Sequence, residues 1–156
     1  MSRLTATETT AGTTQNDGPA PRVLSDEELS ELLRQGRFGV LASVRSTGHP
    51  HLSTVLYDWD AAERVLRVSS TADRLKVRQL RRDPHASLHV SGPDVWSFAV
   101  AEGEAEIVDP ADGAAPGGQV LPDRRVTIAL RVSRLYGTAL DIPTEESSPH
   151  RSSPRL

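Results

Sequence analysis

Large apolar residues are nearly absent from Met1 to about Arg22, a stretch rich in Thr, Ala and Gly. With so little to bury, it cannot offset the entropy of ordering, and a disordered tail is predicted over 1–22. Helical periodicity comes next. Ser25-Asp26-Glu27-Glu28 has the form of a capping box, Leu29, Leu32 and Leu33 follow at helical spacing, and Gly36 supplies a stop. From Phe38 the period becomes that of strands. Phe38 to Arg45 predicts one strand, Ser46-Thr47-Gly48 a turn, His51 to Trp59 a second strand and Arg64 to Ser70 a third, together a meander of three. A short basic helix follows and is closed by Asp83-Pro84, because proline cannot continue it. Ala86 to Ser91 predicts a fourth strand and Gly92-Pro93-Asp94 a turn. Val95 to Val108 predicts a long strand with Glu102, Glu104 and Glu106 on its wet face. Asp109 to Pro122 is Gly-, Ala- and Pro-rich without a period and predicts a loop, whereas Val126, Ile128, Leu130 and Val132 alternate through a last strand over Arg125 to Leu135. From Ile142 the chain is Ser- and Pro-rich, so a second tail is predicted over 142–156 and one domain over 23–141. About six antiparallel strands with short turns and few helices define a mainly β fold, a closed or nearly closed barrel.

Composition narrows the chemistry. The chain contains no cysteine, which removes disulfides, a thiol nucleophile and thiolate metal sites. No apolar run approaches the length of a membrane span and the start lacks a secretion pattern, so a soluble, cytoplasmic protein without a membrane partner is expected. A net charge of −3 argues against a general nucleic-acid binder, and 4% aromatic residues leave little for base stacking. The average nevertheless hides an asymmetry: positive charge concentrates between Arg74 and Arg82.

That basic segment is where the candidate chemistry gathers. Val65-Leu66-Arg67-Val68 ends in Ser69-Ser70-Thr71, and the helix opens with Arg74-Leu75-Lys76. Free amides at a helix start, hydroxyls beside them and a cation close by are what a phosphate requires. At about 100° per residue, Val77 and Leu80 share a core face, Arg74, Arg78 and Arg81 a second face, and Lys76 lies on the other flank. Cations at a helix start oppose its dipole by a few tenths of a kcal/mol, which points to an anionic partner; a solvated basic face paired with glutamates is the plainer alternative.

Other candidates are weaker. His49 and His51 alternate on a strand, and His85 and His89 stand four apart in another, where that spacing does not converge on a metal; no site is predicted from either pair. A Gly-x-Ser-x-Gly turn is absent, which removes the usual hydrolase signature. Phe98 fits a core position, whereas Trp96, just after the Gly-Pro-Asp turn, could border a pocket. Without a convincing acid–base dyad, enzymatic chemistry would have to reside in a bound cofactor.

Several stretches carry a resemblance. They are Gly39-Val40-Leu41-Ala42-Ser43-Val44, Gly48-His49-Pro50-His51-Leu52-Ser53-Thr54-Val55, Arg74 through Pro84, Trp96 through Gly103, and Asp123-Arg124-Arg125-Val126 through Leu135-Tyr136-Gly137. From about Leu24 to Leu140 the chain resembles the pyridoxamine 5'-phosphate oxidase-like split β-barrel family, and within it the oxidoreductases that use the deazaflavin coenzyme F420. The resemblance implies a homodimer with cofactor sites at its interface and a small organic molecule as hydride acceptor. It places Arg74 and Lys76 on the cofactor phosphate, and Leu75 and Gln79 of the same helix among the cofactor contacts. Ser69 and Ser70 fall near the ring or ribityl chain. His51, Ser53, Thr54 and Val55 border the ring, and Trp96 packs at the edge of the site from the other subunit. This chain departs from the family pattern with His51, Thr54 and Gln79, where Gln, Asn and Asn are usual, and with a Pro/Gly-rich segment over 109–122 where relatives insert a helix. FMN offers the same phosphate to the same helix start, so an FMN-binding flavoprotein or flavin reductase is the alternative, and a non-catalytic cofactor carrier a third reading.

Overall fold

A computed structural model describes residues 18–110 and 124–141. The tail expected before residue 18, most of the 109–122 loop and the tail from 142 lie outside the described residues. Those described form two helices and nine strands: β1 (Arg22–Val23), α1 (Asp26–Gln35), β2 (Phe38–Val44), β3 (Pro50–Leu56), β4 (Asp58–Asp60), β5 (Val65–Thr71), α2 (Leu75–Arg82), β6 (His85–Ser91), β7 (Phe98–Val108), β8 (Arg125–Tyr136) and β9 (Thr138–Ala139).

The helix α1 forms for the expected reasons. Ser25 Oγ accepts from the Glu28 amide, and Glu28 Oε1 accepts from the Ser25 amide at 3.3 Å, closing the capping box. Asp26, Glu27 and Glu28 complement the positive end of the dipole, and Leu29 and Leu33 are buried. Ahead of the helix, Arg22 lies not in a tail but in β1, paired with Ala139 and bridged to Glu28 and Asp141.

Seven strands make one antiparallel sheet in the order β3-β2-β6-β7-β8-β5-β4. This corrects the three-strand meander. β2 pairs with β3, but the chain then crosses to the far edge of the sheet, where β4 pairs with β5 and β5 with β8. The expected strand over His51 to Trp59 is accordingly broken at Tyr57. Only that residue separates β3 from β4, and successive Cα atoms lie about 3.8 Å apart, so the two edges meet here and the sheet curls into a half-barrel. Tyr57 holds the crossing. It is buried, and its hydroxyl donates at 2.6 Å to the Leu33 carbonyl, one of the acceptors left unpaired at the end of α1. Burial pushes its phenol up to about 12. The close approach also explains Gly36, whose backbone is extended rather than left-handed: a Cβ there would stand 2.3 Å from the Tyr57 hydroxyl.

Inside the curl lie Leu41, Leu66, Val68, Leu88, Val90, Ile128 and Leu130, closed over by Leu29 and Leu33 of α1 and by Val77 and Leu80 of α2. Each such side chain contributes roughly 1.5–3 kcal/mol of burial. The wet face of β7 is as expected, with Glu106 bridged to Arg131 and Glu102 near Arg134. Its start is not. The Asp94 carboxylate accepts from the amides of Trp96 and Ser97, both at 2.9 Å, so the turn persists to Ser97 and the strand begins at Phe98.

Candidate functional site

The two helices differ at their starts. Arg74 occupies the N-cap of α2 with no side-chain cap, and the first turn contains no acidic residue. Arg74 O accepts from the amides of Val77 and Arg78, whereas those of Leu75 and Lys76 have no partner among the described residues. The nearby carboxylate of Asp73 is engaged at 2.6 Å by Thr71 Oγ1. Neither Arg74 nor Lys76 forms an ion pair among the described residues. Burial, and then the charge of Arg74, lowers the pKa of Lys76. An anion at this point would pair with the amides and, by favouring the charged form of Lys76, oppose that downward shift.

The other sequence-predicted residues divide by strand alternation. On β5, Ser69 is exposed and Ser70 buried, so they face opposite sides. On β3, His51, Ser53 and Val55 point inward and Thr54 outward. Val55 is part of the core, so only its backbone is free to meet a ligand, along the edge of the sheet. Ser53 Oγ is buried and has no hydrogen-bond partner among the described residues. Leu75 is 40% exposed at the helix start, whereas Gln79, one turn later, is 3% exposed. Its Oε1 accepts from Ser43 Oγ at 2.7 Å and meets His51 Nδ1 at 2.9 Å. Ser43 was missed by the sequence reading. Its signal was a polar residue on the same strand face as Leu41, a core position.

Trp96 stands apart. The end of β2 nearest α2 is marked by Arg82, which donates to the Val44 carbonyl, whereas the turn carrying Trp96 lies beyond the opposite end of that strand. Trp96 is 51% exposed. A cavity of about 740 Å³ is lined by Ala42, Pro50, Ser87 and Gly103 and by no residue of the helix start. A neighbouring hollow of about 380 Å³ reaches Phe38, Val40, Thr54 and His89. Around these hollows Phe38, Leu52 and Leu56 are 65%, 63% and 72% exposed, an apolar surface on the outer faces of β2 and β3.

Near the end of α2, Asp83 Oδ1 accepts from the His85 amide and lies 2.7 Å from its Nδ1. Asp83 raises the His85 pKa above the ordinary 6.5, and His85 lowers that of Asp83 below 3.8. The imidazolium's contribution is fully present below 6.5 and is lost as pH rises through the raised value. That of the carboxylate is present above 3.8 and is lost as pH falls through the lowered one. An NMR titration should therefore place the His85 midpoint above 6.5, and Asp83→Asn should return it. A midpoint unmoved in that variant would remove Asp83 as the cause.

Comparison with known proteins agrees with this architecture. Residues 25–148 match the family described as Pyridoxamine 5'-phosphate oxidase, and the chain belongs to that family. Its curled antiparallel sheet has the family's split-barrel fold. A solved structure named F420 reductase is 28% identical, with a TM-score of 0.57 over 68% of this chain and 94% of its own. A FAD-binding protein from Mesorhizobium loti shares the fold at 21% identity and a TM-score of 0.64, covering 80% of this chain and all of its own. A pyridoxamine 5'-phosphate oxidase-related, FMN-binding protein from Nostoc punctiforme shares it at 14% identity and 0.54, over 70% and 78%. No helix among the described residues is long and apolar enough to cross a membrane, and no group of three or more potential metal-ligating side chains occurs among them.

Proposed function

We propose that this chain is an oxidoreductase that binds the deazaflavin coenzyme F420 and passes hydride to a small organic acceptor. The observation that carries the reading is the uncapped, acid-free start of α2, where Arg74, Lys76 and two amides have no partner among the described residues, in a chain of this family. The donor set suits a phosphate-bearing group with a polar ring. Arg74, Lys76 and the amides of Leu75 and Lys76 hold the phosphate, and Ser69, exposed on the strand that leads toward α2, meets the ring or ribityl chain. The free edge of β3, with His51, Ser53, Thr54 and Val55, borders the ring. Once bound, the coenzyme supplies the hydride chemistry. The protein fixes its position through the remote phosphate, so that binding energy made far from the reacting carbon orients the ring. The preference for F420 over FMN rests on the 28% identical relative named F420 reductase.

Two copies complete the site in this reading. The exposed apolar surface of Phe38, Leu52 and Leu56 is what a second copy covers, and Trp96, half exposed beyond the opposite end of β2, reaches the site of the partner. Native mass spectrometry after incubation with F420 and with FMN tests dimer and cofactor together. The expected species is a dimer carrying two F420 molecules. A dimer that takes only FMN makes this a flavoprotein of the same fold, and a chain that binds neither overturns the cofactor reading.

A further inference from the structure

The sequence reading placed Gln79 and His51 together as contacts of one ligand. The geometry points to a different division: we propose that Gln79 is a positioning residue, which with Ser43 holds His51 as its Nδ1–H tautomer and leaves Nε2 as the acceptor offered to the ligand. What His51 then faces rests on the cofactor reading above; the tautomer does not.

Three elements converge on one oxygen. Ser43 and His51 are direct partners in the β2–β3 ladder, both on the inward face, and Gln79 reaches them from the core side of α2. Ser43 is 2% exposed and Gln79 3%, so an unpaired amide here would be costly. Gln79 Oε1 is an acceptor only, so each group bonded to it must donate. From Ser43 that donor is the hydroxyl, at 2.7 Å; from His51 it is Nδ1–H, at 2.9 Å. A neutral imidazole carries one proton, so fixing it on Nδ1 leaves a lone pair on Nε2. That nitrogen has no partner among the described residues. Two residues further along the same strand face is Ser53, whose buried hydroxyl is likewise unpartnered. A ring N–H or a hydroxyl is the ligand group that such an acceptor recognises. With its oxygen already taken by two donors inside the fold, Gln79 serves the ligand through His51.

The test has two independent arms. In the first, long-range proton–nitrogen NMR of the full chain, without cofactor and above the pH of imidazole titration, reads the His51 tautomer. Nδ1–H is expected in the wild type, conversion to mostly Nε2–H in Gln79→Ala, and recovery of Nδ1–H in Gln79→Glu, which retains an acceptor oxygen. An Nε2–H wild type would mean that the amide nitrogen of Gln79 faces the pair, and would overturn the proposal even if no variant folded. In the second, F420 and FMN are titrated by fluorescence. Gln79→Ala and His51→Ala should each weaken the bound cofactor about tenfold, and the double variant no further than either alone. Multiplying effects would show that Gln79 contacts the ligand itself and would likewise overturn the proposal. Should neither cofactor bind the wild type, the cofactor reading fails, while the tautomer arm still decides the role of Gln79.

Discussion

Replacing Arg74 and Lys76 together by alanine is expected to weaken F420 binding about a hundredfold, or ~2.7 kcal/mol, while leaving the fold intact. Each removed cation should account for about tenfold, since hydrogen bonds to charged groups contribute roughly 1.5–3 kcal/mol before solvent screening reduces them. The fold survives because neither residue has an ion-pair partner among the described residues to lose, and neither belongs to the core. Removing two like charges from an uncapped helix start should even slightly stabilise α2 in the free protein. Fluorescence titration gives the affinity and thermal unfolding the stability. Arg78→Ala, an exposed cation on the same helix but past its first turn, is the control and should leave affinity within about twofold. Equal losses in the control and the double variant would mean that diffuse positive charge attracts the ligand, and the helix start would no longer be its site.

Gly103→Ala should be the most damaging small substitution in the sheet. Gly103 sits at the register shift between β7 and β8, where the neighbouring backbone leaves no room for a side chain. A Cβ built there would stand 1.8 Å from the Arg131 carbonyl oxygen, 2.8 Å from its carbon and 3.1 Å from the Val132 Cα. All three are backbone atoms of the neighbouring strand, so no rotamer relieves the overlap and the ladder itself must open. A loss of about 3 kcal/mol or more is expected, in the upper range for single substitutions. Urea unfolding should show it as a lower midpoint at unchanged slope. Gly18→Ala, where a Cβ meets nothing within 4 Å, should change stability by less than about 0.5 kcal/mol. If Gly103→Ala unfolds at the wild-type midpoint, the two strands are not packed as closely as the geometry requires.

Local signals account for much of what was legible in advance. The capping box at Ser25, the alternation from Val126 to Val132 and the stop at Asp83-Pro84 each depend on a few neighbouring residues, and each element formed where its pattern lay. The unusual charge of the second helix start was equally visible, because a cap and an acidic first turn are local features. Misreadings occurred where one residue answers to a distant one. Tyr57 continues an apolar run, yet it ends a strand because the Leu33 carbonyl, 24 positions earlier, takes its hydroxyl. Trp96 looked like the start of a strand because the pull of Asp94 on two amides is invisible to periodicity.

By itself, then, the order of residues determined the mainly β character, the two helices and the cationic, acid-free start of the second one, since these follow from propensity, period and charge over a turn or two. The tertiary structure decided which strands are neighbours, that the sheet curls until its edges meet at Tyr57, and that Gln79 turns inward to Ser43 and His51. Such partners are 28 and 36 residues from Gln79 in the chain, and only the packing of α2 over β2 and β3 brings three polar side chains to one buried oxygen.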